Sequence, residues 1–155
     1  MTAPEIDHLA LTKREVATWS HPLGRHHNWP VVYTLNDQRK VYVGETINAA
    51  SRLRQHFDND EKRGLNARVI IDDRFNKSVC LDLESFLIRP FAGDGRFEVL
   101  NRNEGITDAD YFDRHRYRRA FTEVFEALRA EGLFSRSIKD IENDDLFKLS
   151  PFKSL

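Results

Sequence analysis

The chain is short of several things at once. It has one cysteine, Cys80, and one methionine in 155 residues. A lone cysteine forms no disulfide within the chain, and it excludes a cysteine-rich zinc site. No run of eighteen apolar residues occurs, so no membrane-spanning helix is expected. The opening MTAPEIDHLALTKREVATW carries charges throughout and lacks the apolar centre of a signal peptide. A reducing, cytoplasmic setting is the expectation. Charge of one sign is not in excess either: 24 Lys and Arg against 25 Asp and Glu give a formal net charge of −1. Bulk basicity therefore offers no argument for nucleic acid. It does not exclude local contacts, because a few well-placed arginines or lysines suffice for phosphate. What is present is a core: 40% of residues are hydrophobic, including eleven Phe and two Trp. That composition and length fit one folded domain.

Periodicity and punctuation outline the elements. Ile6, Leu9 and Ala10 stand at helical spacing, which predicts a helix over 5–18. SHPLGRHHNWP is a connector rich in breakers. Two apolar runs, 31–35 and 39–43, flank Asn36-Asp37-Gln38 and read as a β-hairpin, with Gly44 ending the second strand. Asn48 is a candidate N-cap for a helix to Phe57. ARVIID predicts a strand at 67–72, and RFEVL another at 96–100. Between them Ser78 is a candidate cap of a helix that Pro90 stops. A long helix follows, with Thr107 and Asp110 as a loose capping box, Phe121, Val124, Phe125 and Leu128 as its apolar stripe, and Gly132 as its stop. The sum is an α/β (α+β) domain: a small, mixed, mainly antiparallel sheet of three or four strands flanked by helices.

Two features ask for chemistry. In the helix after the hairpin, Arg52 and His56 lie one turn apart on the face beside the apolar stripe Ala49, Leu53 and Phe57. A cation and an imidazole so placed suit phosphate binding, although any surface helix shows such a stripe. In SVCLDLESFLIR, Asp82, Ser85 and Arg89 define a polar stripe expected to face solvent. Glu84 falls on the opposite side, among Cys80, Leu81, Leu87 and Ile88. A carboxylate amid apolar residues is costly unless it pairs with a cation or holds a metal. The arginines of RHRYRR (114–119) suit a phosphate backbone, but Asp110, Asp113 and Glu123 close by favour a salt-bridged, solvated face.

These residues resemble the GIY-YIG nucleases. The family pattern is a strand ending in Tyr, a short turn, Tyr-Ile-Gly or Tyr-Val-Gly, then an Arg ten and often a His fourteen positions past the second Tyr. Here VVY ends in Tyr33, and Tyr42-Val43-Gly44 precedes Arg52 by ten and His56 by fourteen. A Glu on a later helix and an Asn after an apolar residue match Glu84 and Asn101, with Asn103 a nearby alternative. The first motif lacks its glycine. The resemblance covers roughly 30–105; residues 1–29 and 106–155 are expected as helical extensions. The flanks are similar to those of modules that precede a P-loop ATPase or helicase-like region, and LFKLSPFKSL is expected to lead into such a further domain.

The resemblance implies a metal-dependent endonuclease that hydrolyses phosphodiester bonds of nucleic acid, DNA ahead of RNA. It implies that Glu84 holds one divalent ion, Mg2+ or Mn2+, and that Arg52 holds the scissile phosphate. Tyr33 or Tyr42 would orient or deprotonate the attacking water, His56 would position a tyrosine or assist the proton transfer, and Asn101 would brace the site. Arg54, Thr46 and Asn103 are further candidates for substrate contact. The alternative is a catalytically silent module of the same type that binds nucleic acid or docks an ATPase region.

Overall fold

The computed structural model describes residues 3–19, 27–103, 105 and 110–145. Statements of absence below concern these residues. The capping box expected at Thr107 and the tail from 146 onward lie outside them. The strands are β1 (Glu5–Ala10), β2 (Val31–Asn36), β3 (Lys40–Thr46), β4 (Asn66–Ile71) and β5 (Glu98–Val99). The helices are α1 (Lys13–Trp19), α2 (Ala49–Phe57), α3 (Lys77–Asp94), α4 (Arg114–Ala130) and α5 (Ile138–Asp145). The strands form one sheet in the order β1-β4-β2-β3-β5, antiparallel except for β3 and β5. No described helix is long and apolar enough to cross a membrane.

The sheet has two covered faces, and alternation along each strand sorts its residues between them. Val32, Val41, Val43 and Ile70 pack with α3, α4 and α5. Val31, Tyr33, Leu35, Ala67 and Val69 pack with Val16 of α1 and Ala49 and Leu53 of α2. Covered on both sides, β2 is buried at every residue, which is why it lacks the polar alternation of a half-exposed strand.

The first expectation to fall is the helix over 5–18. Residues 5–10 are a strand paired antiparallel to β4 (Ile6 opposite Ile70, Leu9 opposite Ala67), and only 13–19 is helical. Ile6 and Leu9, three apart, send one side chain to each face; that odd spacing mimics a helical stripe. The sheet thus has five strands, and one of its two edge strands, β1, comes from the region expected as a helical extension.

The hairpin stands as expected, with Asp37 Oδ1 accepting from the amides of Arg39 and Lys40 across its turn. However, Gly44 does not end β3: the strand continues to Thr46. Asn48 caps α2, its Oδ1 accepting from Ser51 N at 3.0 Å. Helix α3 begins one residue before Ser78 and is capped by Asn76, whose Oδ1 accepts from Val79 N at 3.0 Å. Nor does Pro90 stop it; the helix runs on to Asp94 and ends at Gly95, φ +72°. A proline forfeits one backbone bond, and here tight burial between the sheet and α5 keeps the helix going.

Helix α4 buries Phe121, Val124, Phe125 and Leu128 as its stripe demands. Its C-terminus closes with Gly132 at φ +92° and with Leu133 N donating to Leu128 O, the bond pattern of a glycine-ended helix. Ser137 opens α5, its Oγ accepting from Asp140 N.

Candidate active site

The polar stripe expected to face solvent on α3 does not. Asp82 and Ser85 are buried, and only Arg89 is exposed. Asp82 lies under α4: its carboxylate accepts from Tyr111 Oη at 2.7 Å and Arg118 Nη2 at 2.8 Å, and from Arg114 through Nε at 3.2 Å and Nη2 at 3.3 Å. Of the RHRYRR arginines, Arg114 and Arg118 are thus salt-bridged to a carboxylate within the fold, while Arg116 pairs with Asp113 on the exposed face as expected. Helix α3 is enclosed almost all round, so polarity alone did not reveal its outward side.

On the other face of the sheet, α2 lays His56 over the hairpin. The Tyr33 hydroxyl and His56 Nε2 are 2.7 Å apart. The Tyr42 and His56 rings are edge-on at 5.4 Å between centroids, and Tyr33 and Tyr42 are 6.2 Å apart. Four of the residues marked by spacing, Tyr33, Tyr42, Arg52 and His56, are therefore one cluster. Tyr33 is wholly buried, while Tyr42 and Arg52 are half-buried. Lys62, from the loop after α2, sits over the Tyr42 ring at 4.3 Å.

Burial raises the Tyr33 phenol well above the usual tyrosine range; Tyr42 adds to this and Arg52 opposes it. His56 is pushed down to about 4, first by burial, then by the charges of Lys62 and Arg52. At neutral pH the pair is thus an uncharged phenol and an uncharged imidazole. In the tautomer with Nε2 bare, the imidazole accepts a hydrogen bond from the Tyr33 hydroxyl.

Gly44 makes this arrangement fit. It lies opposite Tyr33 in the β2–β3 register. A Cβ at this position would come within 2.3 Å of both Cζ and the hydroxyl of Tyr33. The glycine of the Tyr-Val-Gly motif is the floor on which the Tyr33 hydroxyl rests.

Glu84 reaches the same strand from its edge. β5 is only two residues long. Where it runs beside β3, its main chain supplies the bonds, ending with Leu100 N to Val41 O at 2.8 Å. At Val43 a side chain takes over: Asn101 Oδ1 accepts from Val43 N at 3.0 Å, and Asn101 Nδ2 donates to Val43 O at 2.7 Å. At Glu45 the backbone N–H donates to the Glu84 carboxylate. Main chain, amide and carboxylate thus follow one another along a single edge. Glu84 meets β3 one peptide beyond the glycine that carries Tyr33.

Glu84 is half-buried, and burial first, then the negative charge of Glu45, pushes it up to about 7, against the opposing pull of Lys77 and the Glu45 amide. Glu45 and Lys77 carried no signal in the sequence. Lys77 Nζ, at the start of α3, donates to both Glu45 carboxylate oxygens at 2.7 Å. Gly105, φ +78°, leaves room on the other side; a Cβ there would be 3.2 Å from Glu84 Oε1.

The remaining candidates stand apart from the cluster. Thr46 is buried, its Oγ1 accepting from Asn48 N at 3.0 Å in the turn into α2. Asn103 accepts from Gly105 N at 2.9 Å and so shapes the loop that passes Glu84. Arg54 is exposed on the outer side of α2. Of the two asparagines, Asn101 is the one bonded to the strand that carries Tyr42 and Gly44.

Compared with protein-family models, curated proteins and solved structures, the chain has no match.

A hard divalent ion takes oxygen ligands. Among the described residues no three His, Cys, Asp or Glu side chains are grouped as a metal cage. Glu84, with Glu45 beside it, offers one or two carboxylates, and Lys77 already places a cation against them. Mg2+ is ordinarily held by that few carboxylates together with water and substrate phosphate, so these residues fit such an ion.

Proposed function

We propose that this domain is a metal-dependent endonuclease that hydrolyses phosphodiester bonds of nucleic acid, DNA in the first instance, in the manner of the GIY-YIG nucleases it resembles. The observation that carries the reading is the meeting at Gly44 and Glu45. There a tyrosine–histidine pair and a carboxylate of raised pKa approach one strand from two sides. Perturbed titratable groups cluster at functional sites, as they do in structural ion-pair networks such as that of Asp82, and here they stand beside a half-exposed arginine and tyrosine.

In this reading Glu84 would hold the divalent ion, which would supply Lewis-acid polarisation of the phosphate and stabilise the leaving oxygen. Arg52, half-exposed beside the tyrosines, binds the scissile phosphate and offsets the charge that grows on it. Tyr42 is the more accessible phenol and meets the attacking water. Tyr33 is buried; held by His56 and touched by Arg52, it fixes Tyr42 and offers a path for the proton towards the imidazole. Asn101 pairs with the Val43 peptide of β3 where β5 stops and so braces the strand beside Tyr42 and Gly44. Arg52 beside the tyrosine–histidine pair would bring a phosphate-binding cation and a proton-handling group to one place, which lowers the entropic cost of attack.

The test is plasmid nicking by the purified domain with Mg2+ or Mn2+, against a chelator. Cleavage lost in Glu84→Gln and Arg52→Ala, with the cooperative melt of a folded protein retained, is the expected result. Cleavage in the presence of chelator, or retained by Glu84→Gln, would overturn the mechanism.

A further inference from the structure

Glu45 and Lys77 belong to no part of the mechanism above, yet both stand against Glu84. The Glu45 side chain is only 15% exposed, Lys77 Nζ is 2.7 Å from each of its carboxylate oxygens, and the amide of the same Glu45 donates to Glu84. A surface lysine bonded this way to a solvated carboxylate would be unremarked. Here the pair borders a second carboxylate that has no direct ion pair among the described residues. Glu45 follows Val43 by two on β3, so its side chain points to the α3 face, towards Lys77 and Glu84.

We propose that Glu45 shares the divalent ion with Glu84, and that the Lys77 ammonium holds the ion's place until it arrives. This rests on the reading of Glu84 as the metal ligand and extends it to a two-carboxylate site with a built-in competitor. Two adjacent carboxylates repel one another, and a cation between them relieves the repulsion. Lys77 does this in part with one charge. A divalent ion does it with two, and the lysine, on a flexible stem at the exposed start of α3, is then free to turn to substrate phosphate. The ion therefore displaces a charge as well as water.

The experiment measures Mn2+ affinity without nucleic acid, by titration calorimetry and by the free-Mn2+ electron spin resonance signal. The proteins are wild type, Lys77→Met, Lys77→Gln, Glu84→Gln and the double variant Lys77→Met/Glu45→Gln. Removing the lysine tightens Mn2+ roughly tenfold, the order expected for one unit charge about 5 Å from a divalent ion in a watery dielectric. Removing Glu45 in that background weakens it again by about tenfold or more. Two lysine variants guard against an idiosyncratic effect of one, and thermal melts confirm that each is folded. Equal affinity of Lys77→Met and the double variant, with Glu84→Gln weak, overturns the role of Glu45 and leaves the reading of Glu84 standing. Unchanged affinity in Glu84→Gln overturns that reading itself.

Discussion

The contact between Gly44 and Tyr33 can be tested without any assumption about activity. Gly44→Ala adds one carbon, which would sit 2.3 Å from Tyr33 Cζ and 2.3 Å from its hydroxyl. A long flexible side chain would swing aside. Tyr33 cannot: its ring is rigid, wholly buried, and tied by its hydroxyl to His56 at 2.7 Å. Either the ring or the β2–β3 pairing must give. Overpacking of this kind costs about 1–3 kcal/mol, and loss of the phenol–imidazole hydrogen bond about another 1 kcal/mol. The expected total is about 3 kcal/mol, a fall of about 1.5 M in the urea midpoint for a slope near ~2 kcal/mol/M. In a Tyr33→Phe background the cost persists, because the Cζ contact remains. In a Tyr33→Leu background most of it disappears, giving a coupling of about 2 kcal/mol in a double-mutant cycle. Loss of less than about 0.5 kcal/mol in the single variant, or equal loss in all three backgrounds, would refute the packing argument.

Further outcomes follow from titration and burial. The folded His56 has a pKa of about 4 against an ordinary 6.5, so its share of stability is present above pH 6.5 and lost as pH falls towards 4; NMR titration finds the ring neutral through that window. Glu84 runs the other way. Its folded value of about 7 against 4.5 means stability that is present below pH 4.5 and lost as pH rises through 7. Urea melts then find Glu84→Gln gaining on wild type above pH 7 and level with it below pH 4.5. Asp82→Ala leaves two arginines and a tyrosine without their shared acceptor and costs about 3 kcal/mol in chemical denaturation, whereas Arg118→Ala, whose side chain is 40% exposed, costs about 1 kcal/mol.

The hairpin, the cap at Asn48 and the stripe of α4 were legible because each is local: a turn, one hydrogen bond, one apolar face. Strand β1 was not, because Ile6 and Leu9 serve opposite faces and their spacing imitates a helix. Asp82 and Glu84 show the same limit in the site. Glu84 drew attention as a carboxylate amid apolar neighbours, while Asp82 passed as a solvent group; in the fold Asp82 is the more buried of the two. Which polar residue on an enclosed helix finds a partner depends on α4, more than thirty residues away, and no spacing within α3 reports it. The grouping of Tyr33, Tyr42, Arg52 and His56 was readable only through the family resemblance, whose spacing marked them together; strand and helix periods alone gave each an ordinary place. Glu45 and Lys77 were invisible because they meet only through the fold.

The brevity of β5 has one more consequence. A strand whose outward amides and carbonyls are bare invites pairing with another molecule. Beyond Val41 the edge of β3 is shielded by two side chains, Asn101 at Val43 and Glu84 at Glu45. A longer β5 would shield it as well, but would seal off the strand that carries Tyr42 and Gly44. The same two side chains thus cover the β3 edge and border the cluster, so edge protection and site architecture depend on the same groups. A variant stripped of both side chains should betray itself first by aggregating.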